Sequence, residues 1–302
     1  MLQIEKHAPS ERHLVTGWDV LLRDLLHSYV ADRPDLSPLS ADQIRYTLNN
    51  YERFLHHAPR LADLAKSNLI VFCQTFKAAP TANKNRVNLI SLWNHAADLE
   101  LLPPPPRIAK RKEPIRAPVV FTLDEVRRLW LATDLLEGNW DGVPIRQAWK
   151  VAIAVLWDTA ARVGTLLKAE LSEVNLDAAT WHVPAEHIKG GRADRVFRLH
   201  PDTVAVIKDS LTTRRLLFPF PYRKEAAERH LGKLLILADL PHGPKNKFHC
   251  LRRTAESYAA ANMGIEAAAA AVGHSVAVAM KHYISNRIVQ PPSLIDGLPR
   301  PF

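Results

Sequence analysis

The C-terminal half of the sequence carries an ordered set of basic and proton-transferring residues. His249 and Arg252 stand three positions apart in FHCLRRTAESYAA, at the start of a predicted helix, so both side chains lie on one face of it. His274 follows a glycine in AVGHS, and Tyr283 comes nine residues later in KHYIS. Arginine binds anionic oxygens, histidine transfers protons near neutral pH and a tyrosine hydroxyl can act as a nucleophile. The set therefore combines anion-binding, proton-transferring and potentially nucleophilic side chains in a fixed order.

Two residues further upstream extend this set. Arg162, in TAARVGTLLKAEL, lies at the predicted break between a buried helix and a short following helix. Lys189, in HIKGGR, lies at the tip of a predicted hairpin, where a long amine can swing. Taken singly, each of these residues has a structural interpretation, such as a helix cap, a surface ion pair or a packing contact. The argument for a site rests on their order and spacing.

Other kinds of chemistry lack a matching pattern in the sequence. Histidine pairs such as His56-His57 have no carboxylate or further histidine at ligand spacing, and Cys73 and Cys250 have no zinc-type spacing. There is no phosphate-binding glycine loop and no serine elbow. We therefore expect no metal and no cofactor.

The segment from about Phe121 to Ile284 resembles the catalytic domain of the tyrosine recombinase, or phage integrase, family. That family has an arginine in a T-G-x-R-type motif, a hairpin lysine, H-x-x-R, a G-H pair and a nucleophilic tyrosine about nine residues later. The matching positions here are Arg162, Lys189, His249, Arg252, His274 and Tyr283. Residues 81–102 also resemble the last helix of the family's core-binding domain.

Two positions depart from the family pattern. Thr165 stands where an acidic residue usually follows the first arginine by three positions, and Ala160 stands where a glycine is usual. The acidic residue supports the site and does not react, so we expect altered tuning without loss of activity.

The resemblance implies a metal-free and ATP-free reaction at a DNA phosphodiester. Tyr283 would attack phosphorus and form a covalent phosphotyrosine, with His249 as the base that takes its proton. Arg162 and Arg252 would hold the non-bridging oxygens, with a further hydrogen bond from His274. Lys189 would protonate the departing 5′ oxygen.

A proline-rich basic segment, PPPPRIAKRKEPIRAP, divides the chain. We predict a helical core-type DNA-binding domain over 1–102, this linker over 103–118 and a catalytic domain with a C-terminal tail over 119–302. Residues 1–102 hold 11 basic and 11 acidic side chains, so the excess positive charge lies in the linker and the C-terminal part. The linker is either a solubilising spacer or a strap along a phosphate backbone. On the second interpretation, the DNA-binding residues are Arg107, Lys110, Arg111, Lys112 and Arg116.

Helical spacing predicts four helices in the N-terminal part, from Val15 to Val30, from a Ser40 N-cap, from Leu61 to Phe76, and from a Thr81 N-cap to about Leu102. In the C-terminal part, the sequence predicts a capping box at Thr122 and a long buried helix over 145–159. Short strands follow around 181–199, and further helices lie near 202–211, 224–238, 250–262 and 265–272. The predicted fold class is mainly α with one small antiparallel sheet.

Composition limits the remaining alternatives. With 302 residues, 47% hydrophobic and 24% charged, the chain can form two packed domains, and its formal net charge of +9 favours a polyanionic partner. An early charged N-terminus and the lack of a long apolar stretch predict no signal peptide, no membrane partner and a cytoplasmic protein.

We therefore expect a site-specific recombinase that acts on double-stranded DNA as a homo-tetramer assembled on it. A type IB topoisomerase and a non-cutting DNA-binding protein of the same fold are the two alternatives.

Overall fold

The computed structural model of the chain describes residues 19–114, 117–188, 190–191 and 193–289. The chain forms two compact units, Met1–Pro114 and Ile115–Phe302, so the division falls inside the proline-rich basic segment. Among the described residues, no helix is long and apolar enough to span a membrane.

The described part of the N-terminal unit is helical. Its helices are α1 (Leu22–Ala31), α2 (Pro38–Leu55), α3 (Lys66–Thr75) and α4 (Ala79–Asp98). Leucines and aromatic residues from all four form one core, in which Phe72 packs against Tyr51 and Phe54.

Several predicted helix boundaries in this unit are wrong. In the described residues, the helix expected from Val15 to Val30 begins at Leu22, as α1. Helix α2 begins before Ser40, because Ser37 accepts a hydrogen bond from the Ser40 amide (3.2 Å) and Pro38 occupies the first turn, where a missing N–H is harmless. Helix α4 likewise begins before Thr81, with its proline in the first turn, and ends at Asp98. The predicted third helix is divided into a 3₁₀ turn (Leu61–Asp63) and α3.

The described part of the basic segment packs against the N-terminal unit. Ile108 is buried, and the Trp93 indole donates to the Pro103 carbonyl (2.9 Å). The Asn83 side chain bonds both the amide (2.8 Å) and the carbonyl (2.9 Å) of Arg111. The segment is therefore held in place along part of its length.

The C-terminal unit is built mainly from helices. They are α5 (Leu123–Ala132), α6 (Ile145–Thr159), α7 (Val163–Leu166), α8 (Pro201–Lys208), α9 (Lys224–Leu237), α10 (Phe248–Met263), α11 (Ile265–Val272) and α12 (Val276–His282). The capping box at Thr122 and the bounds of α6 and α11 are confirmed. Helix α6 packs in the core, where its Trp149 lies against Phe218 and Phe248.

The prediction of one sheet is wrong, because two antiparallel sheets are present in the described residues. Strands β1 (Asn139–Trp140) and β2 (Val143–Pro144) form a short hairpin, while β3 (Val174–Asn175), β4 (Thr180–Val183) and β5 (Arg195–Arg198) form a meander. Residues Ala185–His187 form a 3₁₀ turn where a strand was expected. The expected mainly α fold with small antiparallel β-structure is confirmed.

Candidate active site

Helix α10 carries two of the predicted site residues. Phe248 and Cys250 are buried, which sets the rotation of the first turn and leaves His249 at the surface. Arg252 is only 4% exposed, and its Nη1 donates to the carbonyl oxygen of Ala160. Its Nε and Nη2 atoms are buried without a hydrogen-bond partner in the described structure. The guanidinium thus keeps two donor atoms for an anion.

The turn after α6 brings Arg162 to the same place. Ala160 ends α6 in the left-handed conformation (φ 45°), which explains why a glycine suits this position. Arg162 then forms the N-cap of α7 and is exposed. It lines, together with Arg252, a cavity of about 790 Å³ that the hairpin after β4 and the end of α11 complete.

Tyr283 lies directly after α12, where its side chain contacts three other predicted site residues. Its ring is stacked on His274 (centroids 4.7 Å apart) and edge-on to His249 (5.3 Å). The Arg252 guanidinium carbon is 5.1 Å from the ring centroid. The Ser257 hydroxyl donates to the Tyr283 carbonyl (3.0 Å), and the residue is 8% exposed. Contacts to its backbone carbonyl and to its ring therefore both fix the position of Tyr283.

The loop between α11 and α12 positions His274. Gly273 ends α11 in the left-handed conformation (φ 83°), and Arg195 of β5 donates to the preceding Val272 carbonyl (2.6 Å). A Cβ atom on Gly273 would fall 1.4 Å from Nη2 of Arg195. The glycine is required both by its backbone angle and by this close approach.

The side chain of His274 contacts a buried acid, Glu256. Oε1 of Glu256 lies 2.9 Å from Nε2 of His274, and Glu256 itself is fully buried. Burial raises the pKa of the Glu256 carboxyl, while the charges of His274 and Arg252 act in the opposite direction.

The surroundings of His249 favour its neutral form. Loss of hydration, followed by the positive charges of Arg253, Arg252 and Arg162, lowers the pKa of His249 to about 4. Burial likewise lowers the pKa of Arg252, which Tyr283 and Glu256 partly offset. At neutral pH, His249 is therefore an unprotonated imidazole that can accept a proton.

Thr165 joins the turn that carries Arg162 to the hairpin after β4. Its Oγ1 donates to the His187 carbonyl (3.0 Å), and the His187 ring pairs with Glu173 (2.9 Å). Lys189, the predicted hairpin lysine, lies outside the described residues. The segment that leads to it is nevertheless fixed at His187.

Sequence reasoning missed Arg195, Glu256 and the Glu173–His187 pair. Arg195 and Glu173 lie in short strands and turns with no functional motif, so nothing in the sequence separates them from surface residues. Glu256 carries a readable signal, because it follows Arg252 by four positions and shares the buried face of α10.

The predicted DNA-binding residues of the basic segment differ in environment. Arg107, Lys110 and Lys112 are exposed, and Lys110 lies 3.6 Å from Glu113. Arg111 instead donates to the carbonyls of Phe76 (2.6 Å) and Cys73 (3.3 Å), at the end of α3. Arg116 lies outside the described residues. Among those described, no group of three or more histidine, cysteine or acidic side chains is arranged to hold a metal ion.

Several solved structures share this fold. A lambda integrase dimer bound to a COC′ core site has a TM-score of 0.69 and 16% identity over 91% of this chain and 99% of that one. A lambda integrase tetramer bound to a Holliday junction has a TM-score of 0.64 and 16% identity over 90% and 79%. The Tn1549 transposon integrase, in complex with transposon right end DNA, has a TM-score of 0.66 and 12% identity over 92% and 97%. The comparison with curated proteins gave no match.

A comparison of the sequence with protein-family models identifies the family. The model of the phage integrase family matches residues 120–288, which is more than half of the chain and includes every predicted catalytic position. The catalytic-domain fold expected from the sequence is the one observed. The chain therefore belongs to the phage integrase family.

Proposed function

We propose that this protein is a site-specific DNA recombinase that cleaves and rejoins duplex DNA through a covalent 3′-phosphotyrosine, without a metal ion or ATP. The observation that carries the proposal is the position of Tyr283, whose ring contacts His249, Arg252 and His274. A phenol beside a neutral imidazole and an incompletely bonded guanidinium is arranged for attack on a phosphodiester.

In the cleavage step, the Tyr283 oxygen forms a bond to phosphorus as the bond to the 5′ oxygen breaks. His249, which its lowered pKa keeps unprotonated at neutral pH, takes the phenolic proton. Lys189 supplies a proton to the departing 5′ oxygen. Attack by the 5′-hydroxyl of another strand reverses these transfers and exchanges the strands.

Charge on the phosphoryl oxygens grows in the transition state, and cationic donors stabilise it there more than in the ground state. Arg252 and Arg162 would hold the two non-bridging oxygens, and His274 would add a third donor. The free Nε and Nη2 donors of Arg252 support this assignment, because a buried guanidinium without an anion is unfavourable.

We further propose a role for the rest of the chain. Residues 1–102 would act as the core-type DNA-binding domain and the basic segment 103–118 as a connection along the phosphate backbone, with 119–302 as the catalytic domain. Recombination joins two duplexes with two sites each, so four copies would assemble on the DNA. The similar fold of lambda integrase, solved as a tetramer on a Holliday junction, supports this stoichiometry.

Covalent trapping tests the proposal. The protein is incubated in EDTA with nicked duplexes made from the flanks of its own gene, and protein–DNA adducts are resolved on a denaturing gel. We expect an adduct with the wild-type protein and none with Tyr283→Phe. Tyr222→Phe is the matched control, because Tyr222 is 60% exposed and outside the site. An adduct that persists in Tyr283→Phe would refute the assignment of the nucleophile.

A second assay distinguishes recombination from topoisomerase activity. Two labelled duplexes with the same site are mixed, and supercoiled plasmid without the site is treated in parallel. Exchange of labelled arms between duplexes supports a recombinase. Relaxation of the plasmid without arm exchange would indicate a type IB topoisomerase instead.

A further inference from the structure

Glu256 is a fully buried acid of the C-terminal unit, and it has no role in the reaction steps proposed above. It is 0% exposed, in the middle of α10, and its Oε2 has no hydrogen-bond partner in the described structure. Burying an ionisable group without full compensation is unfavourable, because the charged form loses its hydration. A helix position that served packing alone would be occupied more favourably by an apolar side chain.

Two site residues lie around this carboxylate. Nε2 of His274 is 2.9 Å from Oε1, within ion-pair and hydrogen-bond distance. Arg252 precedes Glu256 by one helical turn, and its positive charge opposes the effect of burial on the acid. Glu256 thus places a buried carboxyl group beside His274 and one helical turn from Arg252.

The contact distinguishes the two ring nitrogens of His274. Because Nε2 is directed at the carboxylate, Nδ1 is the nitrogen left for another partner; it is 3.4 Å from the Ser275 carbonyl. A proton held between Nε2 and Oε1, with a second on Nδ1, makes Nδ1–H a donor. Without an acid behind the ring, the neutral imidazole is free to adopt either tautomer or to turn away.

We propose that Glu256 is a positioning residue, which acts through His274 to present Nδ1–H to the phosphoryl group that Tyr283 attacks. This inference rests on the proposed function. Its observable consequence is energetic coupling between Glu256 and His274 in the cleavage step.

A double-mutant cycle measures that coupling. Single-turnover cleavage of a nicked duplex is followed for the wild type, Glu256→Gln, His274→Ala and the double variant. We expect Glu256→Gln to slow cleavage by about tenfold to a hundredfold, which lies within the roughly twofold to 160-fold effect of coupling between residues in contact. The double variant should be no slower than His274→Ala alone, and the affinity for uncleaved DNA should not change.

Glu125→Gln is the matched control, because Glu125 is a half-buried acid of the same unit whose contacts are a helix cap and Arg287. Glu256→Asp keeps the charge and supplies a second variant if Glu256→Gln does not fold. Its cleavage rate should lie between those of the wild type and His274→Ala, and its combination with His274→Ala should again add no further loss.

The outcomes separate this inference from the proposed function. If the wild-type protein forms no covalent adduct that depends on Tyr283, the proposed function itself is refuted. A wild type that cleaves, with losses from Glu256 and His274 that multiply, would overturn the positioning role while leaving the recombinase proposal intact. Undiminished cleavage by Glu256→Gln would do the same.

Discussion

The ring of Tyr283 is stacked on the ring of His274, with centroids 4.7 Å apart and planes 18° apart. His274 precedes α12, a helix of seven residues, and Tyr283 follows it directly. The contact between the two rings therefore joins the two ends of this helical segment. The tyrosine is therefore positioned by residues of its own chain. This contact links the placement of the nucleophile to the histidine loop.

We expect His274→Ala to slow cleavage by about a hundredfold to a thousandfold, the effect of removing one donor from a charged transition state. The variant also loses the stacking surface that holds Tyr283. Single-turnover cleavage of a nicked duplex measures the effect. His242→Ala, at an exposed loop histidine, is the control and should cleave like the wild type. Equal rates for both variants would show that His274 takes no part.

The pH dependence of cleavage should reflect the lowered pKa of His249. A base must be unprotonated to act, so its contribution is lost as the pH falls through its pKa in the free enzyme. With a pKa of about 4, that loss begins well below the ordinary histidine range near 6.5. The apparent second-order rate of cleavage, measured with protein well below its Kd for the DNA, reports the free enzyme and should therefore show no decline attributable to His249 between pH 8 and 6.

Titration by NMR checks the cause of this shift. Arg253 is the first of the charges that lower the pKa of His249, so Arg253→Ala should move the titration of its ring upwards. Lys245→Ala removes a basic residue outside the set of charges acting on His249 and should leave the midpoint in place. A His249 midpoint near 6.5 in the wild-type protein would contradict the electrostatic environment described above.

Loss of the Thr165 hydroxyl should destabilise the hairpin after β4 and have little effect on DNA affinity. Thr165→Val removes the hydrogen bond to the His187 carbonyl and leaves that oxygen unsatisfied, at a cost of about 1–3 kcal/mol. We expect lower thermal stability and slower cleavage, with DNA affinity retained. Thr165→Ser keeps the hydroxyl and should restore most of both losses. A fully active valine variant would show that the link between the two segments is dispensable.

The sequence predicted the catalytic constellation because its members sit at helix starts and helix ends with readable spacing. His249 and Arg252 share a face of α10, and Gly273 marks the end of α11 before His274. The roles assigned to these residues remain predictions until cleavage is measured.

The site contacts that the sequence did not predict join segments far apart in the chain. Arg195 reaches Val272 across 77 positions, and Thr165 reaches His187 across 22. Local periodicity carries no information about such pairs. The helix starts at Pro38 and Ala79 were missed for a different reason, because a proline just inside a helix can be mistaken for a break before it.

Gly273 offers a test of the close approach by Arg195. Gly273→Ala would introduce both a strained backbone angle and a clash with the guanidinium. Gly264→Ala is the matched control, because Gly264 also has a positive φ (88°) but open space at its Cβ position. We expect both variants to lose about 1–3 kcal/mol of stability. Only Gly273→Ala should lose cleavage beyond that, as measured under conditions where both are folded.

Arg195→Ala in the Gly273→Ala background removes the clashing group. If the close approach is responsible, the double variant should melt at a higher temperature than Gly273→Ala alone. No gain in melting temperature would mean that backbone strain accounts for the whole effect.

The basic segment contains cations with two different expected roles. Arg111 donates to the Phe76 and Cys73 carbonyls, so Arg111→Ala should lower the melting temperature of the protein. Lys112 is exposed, and Lys112→Ala should leave that temperature unchanged. If Lys112 contacts a phosphate, its removal should reduce the slope of log affinity against log salt by about 0.9, the counterion release of one contact. Binding isotherms at several salt concentrations, with thermal melts alongside, separate the two effects. A Lys112→Ala protein with an unchanged slope would show that this residue does not contact DNA, and would favour the spacer interpretation at that position.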